Sequence, residues 1–145
     1  MLLMVSCNKE SQQGNNPPQI TFLSITPSEF KNGSQDTIKV NFKIYDKDGD
    51  IGSTGAPSEP ANIFFYQSYA EGTSGEALLP YIPDGFQQPG KPVEGVAMIA
   101  IPANFYPLDS AHIATGDTFH YEIKIKDRAG NFSNTITTPD IYITP

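Results

Sequence analysis

Apolar and polar residues alternate with a period of two along most of the chain beyond residue 19. Ile38, Val40, Phe42 and Ile44 alternate with Thr37, Lys39, Asn41, Lys43 and Tyr45, the pattern of a strand with one face buried and the other in water. Phe119, Tyr121, Ile123 and Ile125 alternate in the same way with Thr118, His120, Glu122, Lys124 and Lys126. Ile20 to Ile25, Ala61 to Ser68, Val93 to Ile101 and Asn134 to Ile143 predict further strands, the last interrupted by Pro139, which suits a bulge or an edge. No stretch carries a capped helical pattern. Only Asp109-Ser110-Ala111-His112, within Asn104 to Ala114, suits a single helical turn.

Six or seven short strands punctuated by Gly and Pro predict an all-β fold, an antiparallel immunoglobulin-like β-sandwich of about seven strands. Residues 19–145 form that domain and residues 1–18 precede it as leader and tether. Such a sandwich needs only about 100 residues. The surplus falls in Tyr69 to Pro92, a long Gly/Pro-rich excursion after the third strand, with a weak strand at Ala77 to Ile82. Tyr121-Glu122-Ile123-Lys124-Ile125-Lys126-Asp127-Arg128-Ala129-Gly130-Asn131 resembles the fibronectin type III and cadherin-like modules of secreted bacterial proteins, in which a Tyr, alternating aliphatics and a Gly-closed turn precede the last strand. The resemblance implies that Tyr121 is a tyrosine-corner residue, its hydroxyl bonded to backbone near the preceding connection. It implies a fold and no activity. The chain has no Trp and a single Cys, so the disulfide-and-Trp pin of antibody domains is missing, and the third strand offers Phe64-Phe65-Tyr66 in its place.

Composition sharpens this picture in three places. With 145 residues the chain has room for one domain, and its net charge of −7 excludes a phosphate backbone as partner, since that binding needs clustered Lys and Arg. Its one cysteine, Cys7, ends the apolar stretch Met1-Leu2-Leu3-Met4-Val5-Ser6. Met4-Val5-Ser6-Cys7 resembles the lipobox of bacterial lipoproteins, which implies a covalent lipid on the Cys7 sulfur and a membrane partner reached through that anchor. Six residues, none basic, are too few for a signal peptide, so Met1 is expected to be an internal methionine of a longer leader. The run that follows, Asn8 to Gln19, has no aliphatic residue and reads as a tether. Lys9-Glu10 resembles the signals that send such lipoproteins to the outer surface. The expected location is therefore the bacterial cell envelope, as an outer-membrane lipoprotein.

The densest chemistry is Asp46-Lys47-Asp48-Gly49-Asp50-Ile51-Gly52. Carboxylates at alternate positions of a glycine-bent loop converge on a hard cation, and Ca²⁺ takes six to eight oxygens at roughly 2.3–2.6 Å. The run is not an EF-hand, because Gly falls fourth and Pro57 twelfth. It resembles the calcium loops of cadherin-like sandwiches and of bacterial surface lipoproteins. In such a fold the loop carrying Asp127 and Asn131 lies at the same pole, so Asp46, Asp48, Asp50, Asp127 and Asn131 form a candidate Ca²⁺ site. The other reading is equally physical: Asp, Gly and Asn are the residues a bare tight turn requires.

No sequence feature announces catalysis. His112 and His120 stand beside no recognisable nucleophile motif, and the acids Glu71, Glu76, Asp84 and Glu94 are scattered. Tyr69, Tyr81 and Phe86, with Phe105 and Tyr106 further on, suit either an aromatic platform for a glycan or protein ligand, or packing of the excursion onto the sandwich. The chain reads as a non-enzymatic binding or structural module, with an accessory glycan-binding lipoprotein as the alternative.

Overall fold

The computed structural model describes residues 16–69, 72–83, 85–86, 88 and 90–145. Cys7, the leader, most of the tether, Glu71 and Asp84 lie outside the described residues. Ten strands follow one another: β1 (Gln19–Thr26), β2 (Glu29–Lys31), β3 (Thr37–Asp46), β4 (Ile63–Gln67), β5 (Thr73–Ala77), β6 (Val93–Pro102), β7 (Asp117–Phe119), β8 (Tyr121–Ile125), β9 (Ile136–Thr137) and β10 (Ile141–Thr144). The class is as the alternation predicts, with ten strands in place of about seven. One layer has the order β1-β3-β6 and the facing layer β5-β4-β8-β9; β2-β10-β7 continues the second layer, because β7 runs into β8 and β10 follows β9. Every pairing is antiparallel except β2 with β10. This is the strand arrangement of an immunoglobulin-like sandwich.

The additional strands come from chains that change partners midway. The single strand expected over Thr118 to Lys126 breaks at His120, and the one over Asn134 to Ile143 breaks around Pro139, which has no N–H to give a ladder. Hydroxyls take over at the breaks. Ser68 Oγ accepts the His120 N–H at 3.0 Å and Thr138 Oγ1 accepts the Tyr121 N–H at 3.0 Å. β5 lies at residues 73–77, earlier than the weak strand expected from Ala77 to Ile82, and β2 was hidden in sequence by having only three residues.

Strand β3 is the spine. It pairs with β1 on one side and along its whole length with β6 on the other, and its inward residues Ile38, Val40 and Phe42 are completely buried. Across the core stand Tyr121, Ile123 and Ile125 of β8. Between the layers, Tyr69, Tyr106, Phe119 and Tyr121 make an aromatic cluster of mostly edge-to-face contacts, with Tyr106 and Phe119 stacked at 4.5 Å. Phe65 packs edge-on against Tyr121. The tyrosine-corner expectation is corrected in detail. The Tyr121 hydroxyl donates to the Tyr106 hydroxyl at 2.7 Å, a side chain of the preceding connection and not its backbone.

Strand β1 is closed by a side chain. Asn134 accepts the Ile20 N–H at 2.8 Å and donates to the Ile20 carbonyl at 2.9 Å, imitating a strand neighbour. Asn134→Ala leaves both backbone groups of a buried residue unpaired and is expected to lower stability by about 1–3 kcal/mol in urea unfolding. A loss within error of wild type would show that the clamp is dispensable.

Candidate metal centre

The alternation of β3 does not stop at Ile44. Asp46, the last residue of the strand, occupies the next inward position and is completely buried. The turn then brings Asp50 back beside it: the Asp50 N–H donates to Asp46 Oδ2 at 2.8 Å. Gly49 has φ +69° and the carbonyls of Gln88 and Lys91 crowd the side where a Cβ would project, so a side chain has neither the space nor the backbone conformation here. From the other layer, the turn after β8 presents Asp127, which is buried, and the Arg128 N–H ties this turn to the Asp50 carbonyl at 3.0 Å.

Asp46, Asp50 and Asp127 each offer a carboxylate oxygen within 4.8 Å of the others. Ligands on a sphere of roughly 2.3–2.6 Å around Ca²⁺ stand at most about 5 Å apart, so the three carboxylates fit one such ion. Among the described residues, Asp46 Oδ1 and Asp50 Oδ1 are buried without a hydrogen-bond partner. Oxygen-only donors suit a hard cation and not zinc, which favours nitrogen and sulfur. Three charges at such spacing repel by about 1–3 kcal/mol per pair in an environment between bulk water and a protein surface. The nearby cations Lys47, Lys126 and Arg128 compensate these charges only weakly. Lys126 Nζ lies 5.5 Å over the Phe132 ring, Lys47 is exposed, and Arg128 leans on the Gly49 carbonyl at 3.5 Å while lowering the Asp50 carboxyl only as a minor influence.

Two of the five expected ligands stand differently. Asp48 turns outward and is bound by Asn16, whose N–H and Nδ2 donate to its two oxygens at 3.0 and 2.8 Å, so it does not join the cluster. Asn131 is adjacent but acts on Asp127, donating from its backbone N–H at 2.7 Å and from Nδ2 at 2.9 Å. It orients the carboxylate. The inward position of Asp46 is a signal the sequence contained, since the i, i+2 alternation simply continues through it.

The aromatic residues divide between the two readings. Tyr69 is buried against Tyr106 and Phe119 with its hydroxyl on the Pro107 carbonyl, so it packs the excursion onto the core, whereas Tyr81 and Phe86 are exposed. A different group collects on the outer face of the second layer, where the fold brings Phe132 to Phe64 and Tyr66 of β4. It comprises Phe64, Tyr66 and Phe132, with Lys124 over the Phe132 ring and Glu76 and Glu122 beside a depression of about 380 Å³. His120 has two polar neighbours, Ser68 Oγ and Asp140, but both approach the same Nδ1 at 3.4 Å. A relay from acid through imidazole to hydroxyl needs the two ring nitrogens to be divided between them, and that division is absent here.

Comparison with known proteins finds no matching family model and no matching curated protein. Among the solved structures that resemble the chain are the following two. The PKD domain of an M14-like peptidase from Thermoplasmatales archaeon SCGC AB-540-F20 is 16% identical, with a TM-score of 0.46 over 89% of this chain and 94% of that one. The Pseudomonas fluorescens alkylpurine DNA glycosylase AlkC, bound to DNA containing an abasic site analog, is 10% identical, with a TM-score of 0.44 over 88% of this chain and 30% of that one.

Burial, then Asp127 and Asp46, pushes the Asp50 carboxyl up from 3.8 to about 6. Asp46 is raised too, chiefly by burial and then by Asp127, against backbone N–H groups that hold it down. Both groups keep protons in the metal-free fold at pH values where the unfolded chain has lost them. The fold is therefore favoured below about pH 4 and loses that advantage as pH rises through about 6. In chelator, Asp50→Asn is expected to gain melting temperature over wild type progressively between these values, because the amide never ionises. A constant difference across the range would remove this account of the cluster.

Proposed function

We propose that the chain is a non-enzymatic, lipid-anchored module of the bacterial cell envelope, a binding or structural β-sandwich whose pole is fixed by one Ca²⁺. The observation that carries the calcium part is the pair of buried, unpartnered oxygens on Asp46 and Asp50 facing Asp127. A cation bound there neutralises the repulsion and joins the end of β3 in one layer to the turn after β8 in the other. With three carboxylates and water as ligands, the affinity is that of extracellular modules, a Kd of about 10⁻⁴–10⁻³ M. The anchor rests on Cys7 and its lipobox-like context, followed by a polar tether that reaches to the first strand. Acyl chains there hold the module on an outer membrane, exposed at the surface, without a spanning helix.

At free Ca²⁺ about ten times that Kd, the fold gains about 1.4 kcal/mol, and the melting temperature rises by about 3–8 °C. Asp50→Asn and Asp127→Asn abolish the rise, while Asp48→Ala leaves it. Thermal melts in chelator and in millimolar Ca²⁺ check this, and a wild type whose melting ignores Ca²⁺ defeats the reading.

A second reading, an accessory glycan-binding role in polysaccharide uptake, is favoured by Phe64, Tyr66 and Phe132 gathering on one outer face beside carboxylates and Lys124. Sugar faces stack on such rings while the charged groups bond hydroxyls. On a glycan array, the wild type is then expected to bind a polysaccharide and Tyr66→Ala to lose at least about tenfold in affinity. An array without any bound glycan rules it out.

A further inference from the structure

The strand edges of this sandwich are unequal. Among the described residues, β1 carries a bulge at Leu23, β2 and β7 have three residues each, β9 has two, and β5 has five including Gly75 and Glu76. These are the usual means of blunting an edge. Strand β6 is neither short nor bulged, and its Gly95 leaves the register unbroken. It runs ten residues in unbroken register with β3, and from Val93 to Ile101 its one charge, Glu94, is engaged by Lys43. No backbone hydrogen bond among the described residues reaches its outer side. Two apolar depressions of about 560 and 400 Å³ border it there. Val96 and Met98 stand 66% and 56% exposed on its outer face.

We propose that β6 is a dimerisation edge, pairing antiparallel with β6 of a second copy so that two three-stranded layers become one six-stranded sheet. The strand is self-complementary about Ala97. Centring the two-fold axis there sets Val96 opposite the partner's Met98, Val93 opposite the partner's Ile101 and Glu94 opposite the partner's Ala100, so no like charges meet despite the net charge of −7. It also sets Pro92 opposite the partner's Pro102. Both ends of the paired stretch are thus closed by residues that cannot extend a ladder. Any other two-fold register leaves part of Val93 to Ile101 unpaired. The four side chains Val96, Met98, the partner's Val96 and the partner's Met98 then form one apolar cluster on the outer face.

Sedimentation velocity on the full chain carrying Cys7→Ser, which prevents disulfide cross-linking, reads the result. The wild type is expected to dimerise with a Kd of about 1–100 µM, equally in Ca²⁺ and in chelator, which separates this edge from the metal centre. Val96→Lys with Met98→Lys sets lysine against lysine and is expected to weaken the dimer at least about 100-fold. Val96→Glu with Met98→Lys introduces as many charges but sets each Glu against the partner's Lys, and it is expected to keep the dimer. Circular dichroism confirms that both variants fold. A wild type monomeric at about 300 µM, or binding only a strand from another protein, overturns the proposal. Equal loss of the dimer in both charged variants overturns the register and with it the pairing.

Discussion

A single alternation governs both the stability and the chemistry of this domain. Along β3 the inward positions run Ile38, Val40, Phe42, Ile44 and then Asp46, so the register that buries the core also carries a carboxylate into it. That burial is not optional. Shifting the strand by one residue to bring Asp46 into water turns the whole apolar set outward. The turn that follows must therefore answer a buried charge. It answers with N–H groups from Asp48 and Asp50, and it sets the carboxylates of Asp50 and Asp127 beside that of Asp46, where a proton or the proposed cation relieves their repulsion.

The same constraint explains how the two layers are related at that pole. Asp127 reaches the site from the turn after β8, held by Asn131, and the Arg128 N–H bonds across to Asp50. Core packing and site geometry are thus two ends of the same pair of strands. At the far end of the core the aromatic cluster of Tyr69, Tyr106, Phe119 and Tyr121 performs the corresponding joining with apolar contact and one hydroxyl pair.

Long alternating stretches were legible in the sequence because the period of two is stated many times over, as in Ile38 to Ile44 and Tyr121 to Ile125. What escaped was of two kinds. The breaks at His120 and near Pro139 depend on Ser68 and Thr138 hydroxyls replacing ladder bonds, and such substitutions leave no periodic trace. Side-chain direction in the turns escaped as well. Spacing placed Asp46, Asp48 and Asp50 together, but Asn16 draws Asp48 outward, and nothing local to the loop records that contact from 32 residues away. Phe132 joining Phe64 and Tyr66 on the outer face escaped for the same reason, since strand pairing and not sequence order brings it there.

The parallel pair β2 and β10 has a mechanical consequence. Strand β1 begins at the Asp46 pole, where Asn16 holds Asp48, and the chain then runs through β2 toward the opposite pole, where β10 also ends. Tension applied between Asn16 and Pro145 therefore acts along the strands. The bonds joining β2 to β10 and β1 to β3 are loaded sideways and together, and cannot be peeled open one at a time.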